Sequence, residues 1–424
     1  MHVPKTTAGR SLRIHVWVPE LISKRGGIQT FSRCLVEALA ETVGNDHVRV
    51  MAKNDRVTNL KHPAGSRKAE KQKSRPDAQS LGSGPAPTAG WGQWPASLRT
   101  LVFFFGIIVS AVRDRPDLVI STHLNFGIAG YAVKLLTGTH YWCVAHGVEA
   151  WDLHRYLPRL GLMKSDLVLA VSNYTRERLL NEQPLKPDKV VVLPNTIDPE
   201  AIKPGPKPDR LMRRHALTVR DKVILTVARL AEPERYKGYD QILRALPAIR
   251  AEIPGLKYIV VGEGEDRTRI EGLIRELNVC DSVVLAGGVS QRELVDYYNL
   301  CDVFAMPSKG EGFGIVYLEA LVCGKPVLAG DRDGSSEPLQ NGNLGTLVNA
   351  DDVPQIASNL IRILREHGGS NGERGTQDGQ RLREETLRKF GLQSFKERVA
   401  NLLENAASLE HCAGRSGRNT GRES

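Results

Sequence analysis

No two of the six cysteines stand in a C-x-x-C or zinc-ligand spacing; Cys34, Cys143, Cys280, Cys301, Cys323 and Cys412 are scattered singly over 424 residues. This argues against a zinc ribbon and against a disulfide framework, and points to small buried apolar residues in a reducing, cytoplasmic setting. Long hydrophobic runs are missing as well. The longest, LVFFFGIIVSAV from Leu101 to Val112, is 12 residues between Arg99 and Arg113. That falls short of the roughly 20 residues a bilayer-spanning helix needs, so it is expected as a helix buried against a sheet. The N-terminal MHVPKTTAGRSLRIHVWVPE lacks the apolar core of a signal peptide. Aromatics make up 6% of the chain and do not interleave with basic residues as in a nucleic-acid stacking surface. The net charge of +10 is local: residues 53–76 carry +6 and 413–424 carry +2, leaving the remainder near +2. A nucleic-acid partner is therefore not expected.

What is abundant is an alternation of short β-branched runs with longer helical patterns, the signature of parallel sheets built from βαβ units. Strands are predicted at 12–18, 47–52, 117–122, 141–145, 167–172 and 189–194, and a second series at 222–228, 257–262, 282–287, 302–307 and 325–330. Between the series lies DPEAIKPGPKPDR (198–210), rich in proline and charge, as a domain linker would be. Two Rossmann-like, doubly wound α/β domains follow, over 11–197 and 198–380. Residues 53–97 have no apolar period and are expected as a disordered insertion or a long surface loop. Residues 369–380 form a polar break before a helical stretch at 381–408, and 409–424 a disordered tail.

The most specific segment runs Met306-Pro307-Ser308-Lys309-Gly310-Glu311-Gly312-Phe313-Gly314-Ile315-Val316-Tyr317-Leu318-Glu319-Ala320. A strand ends at Met306-Pro307, a glycine-rich turn follows, and a helix is expected to open near Phe313, exposing free N–H groups to a phosphate or sugar. Glu311 and Glu319, eight apart, would then lie about two helical turns from each other on one side. The run resembles the E-x7-E motif of the GT-B glycosyltransferases of family 4, with flanking EGFG and LEA…GKPV also matching. The resemblance covers most of the chain beyond its first ten residues, apart from 53–97 and the two ends. It implies two Rossmann-like domains facing across a cleft, the second binding the nucleotide-sugar and the last helix packing back on the first. It also implies that Glu311 meets the donor sugar and Glu319 the ribose, with Gly312, Phe313 and Gly314 at the diphosphate.

Other segments fit the same resemblance. Gly26-Gly27 separates the first strand from a helix with Ile28, Phe31, Leu35 and Leu39 on one face, where backbone amides can approach a diphosphate. Arg229 and Lys237-Gly238 match the family's cationic pair for the leaving diphosphate. Three extra residues separate them here, which leaves Arg235 as the alternative to Lys237. His146, in Cys143-Val144-Ala145-His146-Gly147-Val148-Glu149, matches a histidine that contacts the donor sugar. Gly262 and Val289, in two strand-end loops, could border the base and ribose. Asp331-Arg332-Asp333 looks like the metal clamp of a different glycosyltransferase fold. It sits in a turn-forming stretch ending at Glu337, so no metal is expected.

The implied activity is retaining transfer of a sugar from a nucleoside-diphosphate sugar to a sugar or lipid-linked acceptor, in polysaccharide or glycolipid synthesis. No cofactor beyond the donor is expected, and the site of action is cytoplasmic, with the basic segment 53–76 in peripheral contact with an anionic membrane. A sugar phosphorylase, a nucleotide-sugar epimerase or a non-catalytic nucleotide-sugar binder on the same fold are the alternatives.

Overall fold

All eleven predicted strands form, and every pairing among them is parallel. The computed structural model of the chain describes residues 10–22, 26–56, 85–151, 153–366 and 373–416. It divides into two units: residues 1–171, 176–193 and 393–424 form the first, and 172–175 with 194–392 the second.

In the first unit the strands are β1 (Ile14–Val18), β2 (Val48–Ala52), β3 (Ala89–Gly90), β4 (Leu118–Ser121), β5 (His140–Ala145), β6 (Leu167–Ala170) and β7 (Val190–Val192), in the order β3-β2-β1-β4-β5-β6-β7. All five residues of β1 are buried, as a strand covered by helices on both faces requires. Helix α1 (Gly27–Val43) buries Phe31, Leu35 and Leu39, and α2 (Ala96–Asp114) and α3 (Gly127–Thr137) flank the sheet. The last helix, α13 (Leu392–Ser416), returns here: Phe395 meets Phe31 edge-on at 5.6 Å, and Lys396 Nζ pairs with Glu37 at 2.9 Å and Glu41 at 2.6 Å.

The second unit has β8 (Lys222–Val227), β9 (Leu256–Val261), β10 (Val283–Gly287), β11 (Val303–Met306), β12 (Val327–Gly330) and β13 (Thr346–Val348), ordered β10-β9-β8-β11-β12-β13. Its core packs α7 (Tyr239–Glu252) and α11 (Val353–Glu366) on the sheet through Tyr239, Leu243, Leu246, Leu360 and Leu364. The proline-rich segment 198–208 has no regular structure, yet it is fastened to this unit. Arg383 donates to the carbonyls of Pro199 and Ile202, and Lys207 pairs with the buried Asp302 at 2.7 Å.

Several expectations change. Residues 57–84 of the supposed insertion lie outside the described residues, but 85–97 are ordered: Ala89–Gly90 pairs with β2 as edge strand β3, and α2 starts at Ala96. Of the polar stretch 369–380, residues 369–372 lie outside the described residues, while 373–380 are helical, the start of α12 (Glu373–Phe390); Gly391 then separates α12 from α13. Helix α13 continues to Ser416, past the expected start of the tail at 409. Helix α2 is 19 residues, long and apolar enough by composition to cross a membrane, and it buries only Phe103, Ile107 and Ala111 rather than the whole run.

Gly262, after β9, takes φ +146°, and a Cβ there would sit 1.8 Å from the Ala228 carbonyl oxygen. Gly262→Ala should therefore cost about 2–3 kcal/mol and lower the melting midpoint by roughly 5–10 °C. Gly272→Ala, inside α8 (Arg267–Glu276) with nothing within 4 Å of the new methyl, should instead add up to about 1 kcal/mol. Thermal melts of the two variants beside the parent check both signs.

Candidate active site

The second unit reverses its strand order between β8 and β11, the switch point outside whose carboxyl ends α/β sheets bind ligands. Arg229 stands two residues beyond β8, and its Nε lies 2.7 Å from Glu234 Oε1. Lys237 closes a short 3-10 stretch, Glu232–Lys237. Gly238 follows at φ +81°, so close to β11's end that a Cβ would lie 2.1 Å from the Pro307 carbonyl oxygen. Only glycine permits that approach, and it sets Lys237 beside the loop after β11, where its ammonium pairs with Glu311. Glu234 stands 3.8 Å from the same ammonium, so one carboxylate joins both cations. Burial works against the charge of Lys237, but Glu311, Tyr236 and Glu234 around it together outweigh this and hold the ammonium above its usual pKa range. Arg235 is engaged elsewhere: its guanidinium grips Asp266 together with Arg269 and the Tyr239 hydroxyl. Of the two candidate cations, Lys237 is the one that joins Glu311.

Glu311 is not part of a helix. Helix α10 (Ile315–Val322) opens two residues later than expected, with Gly314 as its N-cap at φ +83°, so the two-turn argument for Glu311 and Glu319 does not apply. The Glu311 loop is held instead by Asp333, one oxygen of which accepts from Glu311 N–H at 2.7 Å while the other accepts from Ser335 N–H at 2.9 Å. Asp333 thus does the work of a turn. Glu337, in the same stretch, accepts from Tyr174 N–H at 2.8 Å and Asn173 Nδ2 at 3.1 Å. Gly312 contributes its carbonyl to Thr175 Oγ1 at 3.3 Å. Phe313 is buried edge-on against Phe390 at 5.5 Å, leaving its backbone as the part that could meet a ligand.

Glu319, on α10, is buried, and its Oε2 accepts from the Tyr298 hydroxyl at 2.6 Å, Tyr298 lying on α9 (Gln291–Leu300). Burial raises the Glu319 carboxyl to about 7, against the opposing hydrogen bonds from Tyr298 and Gln291. Gly262 is accounted for by its contact with Ala228, and Val289 follows Gly288, whose N–H donates to Glu263 at 3.0 Å.

In the first unit, Gly26 and Gly27 begin α1; Gly26 has an extended backbone, φ 171°, that any residue adopts. Phe31, one turn along, meets the His146 ring edge-on at 5.2 Å. His146 Nε2 lies 3.0 Å from the Thr122 carbonyl, which can only accept, so Nε2 carries the proton and Nδ1 is an acceptor. Burial lowers its pKa to about 4, keeping it neutral. The loop is tied by Glu149, whose carboxylate accepts from His146 N–H at 2.6 Å. Beside it opens a cavity of about 370 Å³, lined by His123, Asn125, Glu149, Trp151, His154 and Arg155 among others. Burial raises the Glu149 carboxyl and lowers His123.

Four residues were missed in the sequence. Glu234 lies between the two cations, in the stretch whose extra length is the signal that could have found it. Tyr298, Glu149 and Asp333 act through hydrogen bonds that depend on tertiary contact or loop geometry, which the sequence pattern does not carry.

Residues 209–377 match the glycosyl transferases group 1 family and 25–201 match glycosyltransferase family 4. A GDP-mannose-dependent alpha-(1-6)-phosphatidylinositol monomannoside mannosyltransferase of Mycolicibacterium smegmatis is 35% identical over 52% of this chain and 60% of its own length. A D-inositol 3-phosphate glycosyltransferase of Stackebrandtia nassauensis is 32% identical over 67% of this chain and 68% of its own. The chain thus spans only about three fifths of some curated relatives. Among solved structures, Anabaena HepE in complex with UDP superposes with TM-score 0.70 at 18% identity, covering 93% of this chain and all of that one. Sucrose-phosphate synthase from Thermosynechococcus elongatus gives TM-score 0.70 at 20% identity, covering 94% and 100%. With the fold matched over nearly its whole length and its sequence divided between the two family matches, the chain belongs to the group 1, family 4 glycosyltransferases of the GT-B fold.

Proposed function

We propose that the protein transfers a sugar from a nucleoside-diphosphate sugar to an acceptor hydroxyl with retention of anomeric configuration, without a metal ion, in glycolipid or polysaccharide synthesis. The observation that carries this reading is the Arg229–Glu234–Lys237–Glu311 constellation at the switch point of the second unit. Two cations held in place by two carboxylates form a near-neutral cluster. A diphosphate entering it would draw on Arg229 and Lys237, whose charges then stabilise the leaving group as the glycosidic bond breaks. In this reading the acceptor oxygen attacks the face from which the diphosphate departs, and its proton passes to a departing phosphate oxygen. Glu311 meets the donor sugar, Glu319 the ribose, and the backbone around Gly312, Phe313 and Gly314 the diphosphate. Within the first unit, the amides of Gly26-Gly27, the neutral His146 and the cavity beside Glu149 are the groups available to a sugar or a phosphate. The relatives from Mycolicibacterium and Stackebrandtia, whose names specify phosphatidylinositol mannoside and inositol phosphate acceptors, favour a polyol or lipid-linked acceptor. A lipid-linked acceptor would be met at the cytoplasmic face of a membrane, where anionic lipid would attract the basic stretch 53–76.

Turnover of UDP-, GDP- and ADP-sugars with inositol phosphates and phosphatidylinositol mannosides tests the reading. Glu311→Gln or Arg229→Ala should each reduce transfer by at least about a hundredfold; Arg229→Ala should leave the melting midpoint nearly unchanged, while Glu311→Gln, which deprives the largely buried Lys237 of its partner, should lower it. Near-parental turnover in either would remove that residue from the site, and sugar release that requires inorganic phosphate would indicate a phosphorylase.

Activity should persist in EDTA, since Asp333 is committed to the turn that holds Glu311. A strict requirement for Mg²⁺ or Mn²⁺ would overturn this part.

Nucleotide affinity should fall as pH drops through about 7, where Glu319 takes up a proton and becomes a weaker acceptor for the ribose hydroxyls. Tyr298→Phe removes a hydrogen bond that favours the carboxylate, so the acid limb of KM should move to higher pH while kcat changes little. An unmoved limb would detach Glu319 from nucleotide binding.

A further inference from the structure

A helix that crosses between parallel strands covers the sheet with one face and shows water the other, so its outward face is expected to be polar. Helix α2 departs from this. Phe103, Ile107 and Ala111, four apart, are buried, and Phe103 is wedged between Trp91 at 5.1 Å and Phe126 at 4.9 Å. On the far side Leu98, Leu101, Phe105, Val109 and Val112 recur at steps of three and four and are 37–65% exposed. At 100° per residue those five fall within an arc of about 80°. The helix is therefore apolar on both faces, one against the sheet and one against solvent.

Its charges are confined to the ends. Asp114 is the one acid on α2, held at the helix's C-terminal end by Arg49 and by its neighbour Arg113, whose Nε lies 3.2 Å from it. At the N-terminal end Arg99 donates to the Trp94 carbonyl at 2.9 Å and to Asn54 at 3.3 Å, with Lys53 close by and Trp94 itself 40% exposed. At the other end Arg113 has a side chain 73% exposed, and Arg115 is exposed too. A second copy laid on this face would bring cationic end against cationic end whether the helices ran parallel or antiparallel. An anionic surface satisfies both ends at once.

We propose that the outward face of α2 docks on an anionic bilayer, the helix lying in the interface with Leu98, Leu101, Phe105, Val109 and Val112 among the acyl chains. Trp94 and the terminal arginines would rest at headgroup level. This deepens the lipid-linked acceptor reading and rests on it. Although α2 has the length and composition of a membrane span, it does not cross: it is inserted between β3 and β4, which pair with β2 and β1, and a crossing would withdraw Phe103 and Ile107 from the core.

The test is co-sedimentation with vesicles of phosphatidylcholine and phosphatidylglycerol, and of phosphatidylcholine alone. It compares the full chain, the triple variant Leu101→Ser/Phe105→Ser/Val109→Ser, and a chain lacking 57–84. The full chain should bind the anionic vesicles, and the triple variant should lose at least about tenfold of that binding while keeping its melting midpoint and its turnover of a water-soluble acceptor. The chain lacking 57–84 should retain binding that high salt only partly removes. Should the triple variant unfold, Phe105→Trp in the otherwise intact chain is read instead: its emission must be quenched by brominated acyl chains, and no quenching overturns the proposal. Equal binding by triple variant and parent, loss of all binding on deleting 57–84, or no binding by the full chain would each overturn it. So would a parent dimer that the triple variant dissociates, which would make the occupant a second copy. Absence of sugar transfer alongside normal vesicle binding would instead count against the proposed reaction alone.

Discussion

Parallel pairing governs the rest of this structure. Because every strand in a sheet points the same way, all carboxyl ends lie along one edge, and the loops that leave them can converge. In the second unit Arg229, Gly262, Gly288, the Glu311 loop and Asp333 all follow strand ends on that edge. The glycines among them are consequences of crowding. Gly238 and Gly262 lie where one strand-end loop presses on another's carbonyl, at distances that leave no room for a methyl group. Close packing thus comes first, and the charged groups take positions it fixes.

Electrostatics at this edge is arranged in balanced pairs. Burial disfavours the charge of Lys237, and Glu311 with Tyr236 and Glu234 reverses that balance. Asp266, nearly out of water, is held ionised by Arg235, Arg269 and Tyr239, which removes Arg235 from competition for the site. In the first unit His146 is a contrasting case: it is buried against Phe31, and burial keeps it neutral. Cations that are held in place and an uncharged imidazole are both preorganised, so neither has to rearrange when charge develops nearby.

Much of the fold was legible because strands buried on both faces leave near-continuous apolar runs. Ala89–Gly90 and Thr346–Val348 escaped notice because two or three residues carry no period. The E-x7-E segment was recognisable by its residues, but its geometry was not: helix onset depends on Gly314 at positive φ, and Gly312 two residues earlier offered the same chemistry. Arg235 and Lys237 are equivalent cations in a sequence, and only Asp266, 31 residues away from Arg235, separates their roles. Helix α2 shows a different limit. When both faces of a helix are apolar, periodicity does not say which one the sheet takes, and residues 101–112 gave no sign that the outward arc stays exposed.

Helix α13 belongs to the first unit although the whole second unit precedes it in the chain. Phe31 gains its Phe395 neighbour, and Glu37 and Glu41 their lysine, only after nearly four hundred residues have been made. At about 5–20 residues per second, the ribosome holds the first unit incomplete for tens of seconds, with the α1 surface around Phe31 uncovered. During that interval the nascent chain presents a ready surface to chaperones, and truncation near the C-terminus would leave its oldest part, rather than its newest, unfinished.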